Sequence, residues 1–330
     1  MTTHSLTPVR AQQRLRREED AGVREQKLEK EAVAQAGATH ASVMVDEVLN
    51  ALDLKKGEFV VDATAGMGGH SEAMLNHAPV QVLALDADPE AVAATTERLK
   101  RFGERVHVIQ ANFGDLGKIL KHEKVASINK ALFDLGWNMT QLASGRGFSF
   151  MRDEPLLMSY GKKPASGFTA RELLNTWDEK VLADVFFGYG EERYARRIAK
   201  AVVERRALQP IETTLELVEI IRDAVPGSYR HGRINPATRT FQALRIATND
   251  ELGSIEAGVT AAWEHLAPGG RIAVLSFHSI EDRAVKRLFA KFAKEGGKLV
   301  VKKPLVASRE EVLRNSPSRS AKLRAIEKLA

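Results

Sequence analysis

Two acidic residues and a group of glycines form the pattern in this chain with the clearest chemistry. The glycines are Gly66, Gly68 and Gly69, and they follow a short apolar run. That run ends in Asp62, and the next apolar run ends in Asp86. Glycines in such a loop let the backbone pass close to a ligand, and the helix that follows offers free N–H groups. An acidic side chain at the end of the second strand can accept hydrogen bonds from a ribose diol, so the spacing predicts a nucleoside-cofactor site.

The third glycine of the dinucleotide fingerprint is missing from this loop. The fingerprint, begun at Gly66, requires glycine at position 71, where Ser71 stands. The adjacent glycines at 68–69 are predicted to widen the turn, which suits a ligand without a pyrophosphate, such as S-adenosylmethionine. A nicotinamide-dependent dehydrogenase is the rival interpretation, and titration with S-adenosylmethionine and NAD would separate the two. A tight strand-to-helix turn without a ligand is the structural alternative.

Composition narrows the class of protein. The chain has 330 residues, of which 44% are hydrophobic, enough for one large domain or two modest ones. It has no cysteine, which excludes disulfides, thiolate zinc sites and cysteine nucleophiles, and we expect no bound metal. No apolar run reaches membrane-spanning length and no signal or transit peptide is recognisable, so we expect a cytoplasmic protein. The net charge of +6 is a moderate bias towards polyanionic partners.

Alternating strands and helices are predicted to position the glycine loop and its acidic partners. Four apolar runs are predicted as the first strands, at 59–63, 82–86, 106–110 and 130–135. The same rhythm resumes after Arg245, with a helix at 249–266, a strand at 271–277, a helix at 280–295 and a last strand near 298–303. This alternation is the β-α-β pattern of a parallel sheet.

The rhythm stops between about 140 and 246. Helices are predicted there at 169–175, 178–187, 191–207 and 213–224, without a convincing buried strand. We interpret 140–246 as an inserted helical substrate-binding subdomain, with 38–139 and 247–330 forming the catalytic domain. Residues 1–37 are dense in charge of both signs, which predicts a flexible or helical extension, with RNA contact as the alternative. The tail at 307–330 is basic.

Eight segments, in order along the chain, match the motifs of a single family. They lie at 40–44, 66–71, 85–89, 134–136, 146–150, 235–245, 276–283 and 318–324. In these segments the chain resembles the MraW (RsmH) type of bacterial methyltransferase. Members of that family methylate the exocyclic N4 of a decoding-centre cytosine in small-subunit (16S) ribosomal RNA. The resemblance covers residues from about 40 to 326.

The resemblance implies a fold, a cofactor and partners. The fold is α/β, the class I S-adenosylmethionine-dependent methyltransferase type, with a Rossmann-like, doubly wound, mostly parallel sheet. The cofactor is S-adenosyl-L-methionine, and the implied contacts are Gly68, Gly69, His70, Asp86, Phe113, Asp134 and Gln141. Gly66 joins them from the loop pattern itself. The partners are small-subunit ribosomal RNA and the 30S subunit, without a membrane, and the oligomeric state stays open, a homodimer included.

Methylating a cytosine amine sets demands on the catalytic residues. The N4 lone pair is delocalised into the ring, so a site must orient the amine, accept its hydrogen bonds and take a proton. Asp134, at the edge of the fourth strand, is the first candidate for contacting the amine, and His278, after the fifth strand, is the second. Asn138 is a further candidate because its amide can hydrogen-bond a cytosine edge. A helix cap for Asp134 and a structural role for His278 are the alternatives, and Arg239 and Arg245 are candidates for holding RNA phosphates.

Two segments depart from the family pattern. After 134–136 the family usually continues Val-Ser-Ser, whereas 137–139 here read Trp-Asn-Met. After Pro155 the family has Leu-Asp-Met-Arg-Met-Asp, whereas 156–161 here read Leu-Leu-Met-Ser-Tyr-Gly. Both segments lie where the catalytic pocket and the RNA path are expected. They support a rival from another class, a ribosome-assembly or RNA-binding factor that keeps the fold without the reaction.

Overall fold

The computed structural model describes residues 41–136, 139–232 and 234–329. The predicted extension at 1–37 lies outside these residues. The described residues belong to one compact unit. In this part of the chain, no helix is long and apolar enough to cross a membrane.

A single twisted sheet of eight strands forms the centre of the molecule. Its strands are β1 (Phe59–Asp62), β2 (Gln81–Asp86), β3 (Val106–Gln110), β4 (Ile128–Asp134), β5 (Leu266–Ser276), β6 (Gly297–Leu299), β7 (Leu305–Val306) and β8 (Lys322–Lys328). The order is β3-β2-β1-β4-β5-β8-β6, and β7 pairs with β8. The pairs among β1 to β5 are parallel, whereas β8 runs antiparallel to its neighbours. The chain reverses its direction of winding between β1 and β4, so the predicted doubly wound, mostly parallel fold is confirmed.

The central strands are apolar because helices cover both faces of the sheet. Successive side chains alternate between faces, so Val60 and Val61 enter different cores. Val61 joins the core that includes Phe133 and Phe289, and Val60 joins the core that includes Met74. The parallel arrangement brings the carboxyl ends of β1, β2 and β4 to one edge, where ligands bind in such folds.

The helices follow the amphipathic segments between the strands. In the described chain they span Val45–Leu52, Gly69–His77, Pro89–Leu99, Leu116–His122, Met139–Leu142, Ala170–Thr176, Glu179–Gly190, Ala195–Arg206, Thr214–Ala224, Gly227–Arg230, Thr238–Asn249, Glu251–His265, Ser279–Phe292 and Arg309–Arg314. Several begin at side-chain caps. Asp88 accepts from the Glu90 N–H ahead of Pro89, and Thr169 forms a capping box with Glu172.

The described residues between Leu142 and Thr238 form helices and loops, with one isolated bridge between Pro155 and Thr213. They have a core of their own, which includes Leu173, Phe186, Ile198, Leu217 and Phe241. The four predicted helices are present, although the third begins only at Ala195. The predicted boundary at 246 falls inside the Thr238–Asn249 helix. A separate substrate-binding subdomain stays a prediction.

The C-terminal tail differs from the sequence interpretation. The predicted last strand near 298–303 is only three residues long, and the basic tail supplies β8, which pairs with both β5 and β6. Leu323 and Ala325 are buried and alternate with charged residues, as in a strand with one covered face. Two of those charges are compensated, because Lys322 and Arg324 both pair with Asp282. The predicted basic tail is therefore in part a strand, and its net charge does not indicate the alternation of buried and charged residues.

Candidate cofactor and substrate site

The glycine loop after β1 has a backbone that only glycine adopts easily. Gly66 has φ of 54° and Gly68 has φ of 78°, both in the left-handed region. The Gly66 N–H donates to Asp86 Oδ2 at 2.8 Å, and the Thr95 hydroxyl donates to the Gly66 carbonyl at 2.7 Å. A Cβ at Gly66 would meet no neighbour, so the space beside the loop is open. The loop is therefore a fixed backbone cradle.

Gly69 and Ser71 fasten the helix after the loop. A Cβ on Gly69 would collide with the Ser42 hydroxyl, so this glycine permits close packing rather than a wider turn. Ser71, at the position of the missing third glycine, donates from its hydroxyl to Asp62 Oδ2 at 2.6 Å. Both partners of that bond are fully buried. The serine thus ties the helix to the end of β1.

Asp86 ends β2 and faces the glycine loop. Its carboxylate accepts the N–H groups of Gly66 and Asp88, each at 2.8 Å. Burial raises the pKa of Asp86 to about 6, although the two backbone hydrogen bonds oppose this shift. A carboxylate offers about four lone-pair positions, so Asp86 keeps acceptor capacity for a ligand hydroxyl.

Asp88 links the second strand to the segment after β4. Its carboxylate is buried and accepts a hydrogen bond from Arg146 at 2.6 Å. Gln141 is also buried, and its side-chain amide lies 3.4 Å from the same oxygen. Arg146 further donates to the main-chain carbonyl of Tyr160 at 2.7 Å. These contacts hold the loop at 146–160 against the cofactor side of the sheet.

A cleft of about 430 Å³ lies beyond the carboxyl ends of the strands. Its lining includes Thr64, Asn112, Phe113, Leu135, Tyr160 and Ile255. The ring of Phe113 also packs edge-on against Phe133, with centroids 5.6 Å apart. Phe113 is half-buried and therefore combines a packing contact with a position in the lining of the cleft.

Asp134 lies at the end of β4, beside the loop after β1. Its N–H donates to the Thr64 hydroxyl at 2.6 Å, which joins the two strand ends. Its Oδ2 lies 3.5 Å from His70 Nε2, within ion-pair range but without a hydrogen bond. Asp134 Oδ1 and His70 Nε2 are both buried polar atoms without a hydrogen-bond partner among the described residues. Buried polar atoms of this kind are uncommon and point to a functional contact.

Five polar side chains meet beside the cleft, and we call them the Arg245 cluster: Tyr160, Arg245, Glu251, His278 and Glu281. Arg245 is buried and bonds Glu251 through two nitrogens, at 2.8 and 3.0 Å. The Tyr160 hydroxyl donates to the same carboxylate at 2.8 Å. Burial raises the pKa of Tyr160 well above its usual value, so this hydroxyl remains a donor. Tyr160, Glu251 and Glu281 line the cleft.

His278 uses both of its ring nitrogens inside this cluster. The Glu281 N–H donates to Nδ1 at 3.3 Å, which caps the Ser279–Phe292 helix. A neutral imidazole that accepts at Nδ1 carries its proton on Nε2, and this nitrogen lies 3.2 Å from Glu281 Oε1. The arrangement favours a positioning role for His278 over a free general base.

The comparison with known proteins agrees with this geometry. The profile of the MraW methylase family matches residues 37–329. The chain belongs to the MraW methylase family. Ribosomal RNA small subunit methyltransferase H of Heliobacterium modesticaldum is 44% identical over 310 residues, which cover 88% of this chain and 98% of that protein. The protein of the same name from Geotalea uraniireducens is 45% identical over 309 residues, with the same two coverages.

Membership of the MraW methylase family confirms the prediction of an S-adenosylmethionine-dependent methyltransferase. The residues present fit that cofactor. The left-handed glycines leave a cradle without side chains, Asp86 keeps free acceptor capacity, and Asp134 has an unpartnered oxygen. The dehydrogenase alternative is therefore excluded.

The structure brings the predicted cofactor residues to one edge of the sheet. They are Gly66, Gly68, Gly69, His70, Asp86, Phe113, Asp134 and Gln141. Their contacts with the cofactor stay predictions, and Asn138 lies outside the described residues. The phosphate role predicted for Arg245 is wrong, because its guanidinium is buried against Glu251. Arg239 donates to the main-chain carbonyl of Glu191 at 2.9 Å.

Sequence reasoning missed Thr64, Tyr160, Glu251 and Glu281. Glu251 and Glu281 each fall in the first turn of a helix, where acidic residues are common and carry no special signal. Glu251, Glu281 and His278 are residue types that can bind metals, and in the described part of the chain their possible ligand atoms lie within 4.8 Å of one another. Arg245 already compensates Glu251, and its positive charge disfavours a cation there. We assign no metal to this group.

Proposed function

We propose that this protein methylates the exocyclic N4 of a decoding-centre cytosine in small-subunit (16S) ribosomal RNA. The support is its family, together with relatives 44–45% identical that are named ribosomal RNA small subunit methyltransferase H. Its substrate is then RNA of the 30S subunit, and the reaction takes place in the cytoplasm. A net charge of +6 suits this polyanionic partner.

The cofactor's parts have natural partners in the site. Asp86 accepts hydrogen bonds from the ribose hydroxyls, and the ring of Phe113 covers the adenine. The backbone of the glycine loop lies against the cofactor between them. When bound, S-adenosylmethionine supplies a methyl group activated by its sulfonium. The remaining demands, on the amine and its protons, fall on residues of this chain.

The observation that best supports the proposal is the position of Asp134 Oδ1. This atom is a buried carboxylate oxygen at the strand edge beside the glycine loop, and no residue in the described part of the chain hydrogen-bonds it. A carboxylate there accepts an N–H of the cytosine amine, which orients the amine, and stabilises the positive charge that the nitrogen acquires. The nitrogen then loses one proton through this carboxylate to water.

The RNA reaches the cleft past the loop and helices that follow β4. Lys162 and Lys163 are exposed next to Gly161, which packs against Ala87 in the cleft lining. Phe187 is 68% exposed, one helical turn before Glu191. Exposed cations and an exposed aromatic are the features that bind single-stranded RNA through phosphates and base stacking. The target base must leave its stack to enter the cleft.

The test is methyl transfer to small subunits from a strain that lacks this modification, with nucleosides identified by mass spectrometry. Asp134→Asn keeps the shape of the side chain but removes its charge. We expect the rate to fall by about a hundred-fold or more, with a smaller change in cofactor affinity. Asp115→Asn, an exposed carboxylate after β3, is the matched control and should keep the normal rate.

The nucleoside product decides between the alternatives. N4-methylcytidine supports the proposal. A 5-methylcytidine product contradicts it, because that chemistry ordinarily uses a cysteine nucleophile and this chain has no cysteine. Binding of subunits without any methyl transfer would favour the assembly-factor rival instead.

A further inference from the structure

His70 has a side chain that turns away from solvent and towards Asp134. It is the second residue of the Gly69–His77 helix, and its side chain is only 5% exposed. Its Nε2 lies 3.5 Å from Asp134 Oδ2 and has no hydrogen-bond partner within residues 41–136, 139–232 and 234–329. Leaving a buried imidazole nitrogen without a hydrogen bond costs free energy. Its position near a carboxylate that it does not hydrogen-bond therefore points to a function.

Charged groups approach this imidazole from three elements. Asp62 lies at the end of β1, Asp134 at the end of β4, and Glu311 in the Arg309–Arg314 helix. Burial disfavours the charged ring, but these carboxylates together raise the pKa of His70 above its usual value. Burial also raises the pKa of Asp62, even though the Ser71 hydroxyl donates to it. The imidazole of His70 therefore lies among three acidic side chains, of which Asp134 acts on it most strongly.

We propose that the side chain of His70 is a positioning residue for methyl transfer, which faces Asp134 Oδ2 and so leaves Oδ1 directed to accept the cytosine amine. This inference rests on the proposed function, in which Asp134 contacts that amine. The geometry assigns one carboxylate oxygen to each partner: Oδ2 faces His70, and Oδ1 has no partner among the described residues.

The orientation of Asp134 matters because the cytosine amine needs an acceptor in a fixed position relative to the methyl group. Asp134 Oδ2 lies 3.5 Å from His70 Nε2, so the imidazole restricts rotation of the carboxylate and keeps Oδ1 on the opposite side from His70. The loss of His70 removes that restraint and leaves Oδ1 poorly directed.

The first experiment needs neither cofactor nor RNA. Histidine-selective isotope labelling and a pH titration by NMR measure the pKa of His70 in the full-length protein. We expect Asp134→Asn to lower that pKa by about one unit or more, because the variant removes the nearest carboxylate charge. An identical titration in both proteins would overturn the inference. This arm keeps His70 intact, so it stands even if His70 variants fold poorly.

The second experiment uses His70→Gln and measures kcat and cofactor affinity separately. We expect kcat to fall about tenfold, because Asp134 then orients the amine less well. Affinity for S-adenosylmethionine should change less than about threefold. His77→Gln, on an exposed histidine of the same helix, should leave both values unchanged. An unchanged kcat in His70→Gln contradicts the inference.

The two proposals fail in different ways. If the product is not N4-methylcytidine, the proposed function is wrong while the coupling between His70 and Asp134 can still be measured by NMR. If the product is correct but the coupling is absent, only the role of His70 is wrong.

Discussion

The glycine loop and the Arg245 cluster border the same cleft, but they are built in different ways. The loop is made of backbone: N–H groups of Gly66 and Asp88 bind one carboxylate, and left-handed glycines fix its path. The Arg245 cluster is made of side chains from the loop after β4, three helices and the segment just after β5. A backbone site is specified within about 25 residues of sequence, whereas the cluster exists only after distant segments pack together.

This difference predicts where substitutions act. Changes at Asp86 should alter cofactor binding more than folding, because its proposed role is to accept hydrogen bonds from the cofactor. Changes in the cluster should alter folding stability more than cofactor binding, because its charges compensate one another inside the protein. Three measurements test whether the loop and the cluster differ in this way.

Arg245→Ala should have the largest effect. It leaves the buried Glu251 carboxylate without its charged partner, and breaking such a pair costs about 3–5 kcal/mol in the free energy of unfolding. Denaturant unfolding followed by circular dichroism measures this loss. Arg239→Ala, in the same helix, removes a single bond to a main-chain carbonyl and should cost less than about 1.5 kcal/mol. Equal losses in the two variants would mean that the cluster is not a stability element.

The loop should respond to pH through Asp86. Its pKa of about 6 means that the carboxyl is protonated below that pH and loses an acceptor for the cofactor. Affinity for S-adenosylmethionine should therefore rise about tenfold per pH unit below 6 and level off above it. Calorimetry between pH 5 and 8 measures this.

The raised pKa of Asp86 also makes the free energy of unfolding depend on pH. Because the folded pKa lies above the unfolded value of 3.8, ionisation of Asp86 weakens the cofactor-free fold as pH rises from about 4 to 6. Stabilisation by the cofactor should grow over that range. Asp86→Asn should flatten the pH dependence of affinity, and a pH dependence that persists in this variant would assign it to another group.

Tyr160→Phe should have the smallest effect. It removes one hydrogen bond to Glu251 and keeps the ring stacked on Phe148, with centroids 5.7 Å apart. We expect a loss of about 1 kcal/mol in unfolding free energy, measured by the same denaturant method. Cofactor affinity should be nearly unchanged. A larger effect on affinity than on stability would transfer Tyr160 from the cluster to the binding site.

The parts of the fold that sequence predicts are those with local causes. The glycine loop, Asp86 and most helices follow from spacing, caps and periodicity within short windows. Arg245 could not be placed this way. Its helix is buried over most of its surface, so an arginine that is normally exposed turns inward to meet Glu251.

The closeness of His70 to Asp134 could not be predicted from the sequence either. The two residues lie 64 positions apart, and only the sheet brings them together. The resemblance assigned His70 to the cofactor, without indicating which way its ring points. Side-chain direction at a helix start depends on packing against the neighbouring strands, here β1 and β4, and no local pattern encodes it.

The position of β8 has a consequence for synthesis. The ribosome makes this strand after β5 and β6, yet it fills the gap between them and pairs with Arg271 to Ser276 along β5. Until β8 emerges, the nascent chain carries an unpaired strand edge, a template for wrong association. A chain terminated before Lys322 keeps every residue of the glycine loop but leaves β5 open, and we expect it to be aggregated rather than merely inactive.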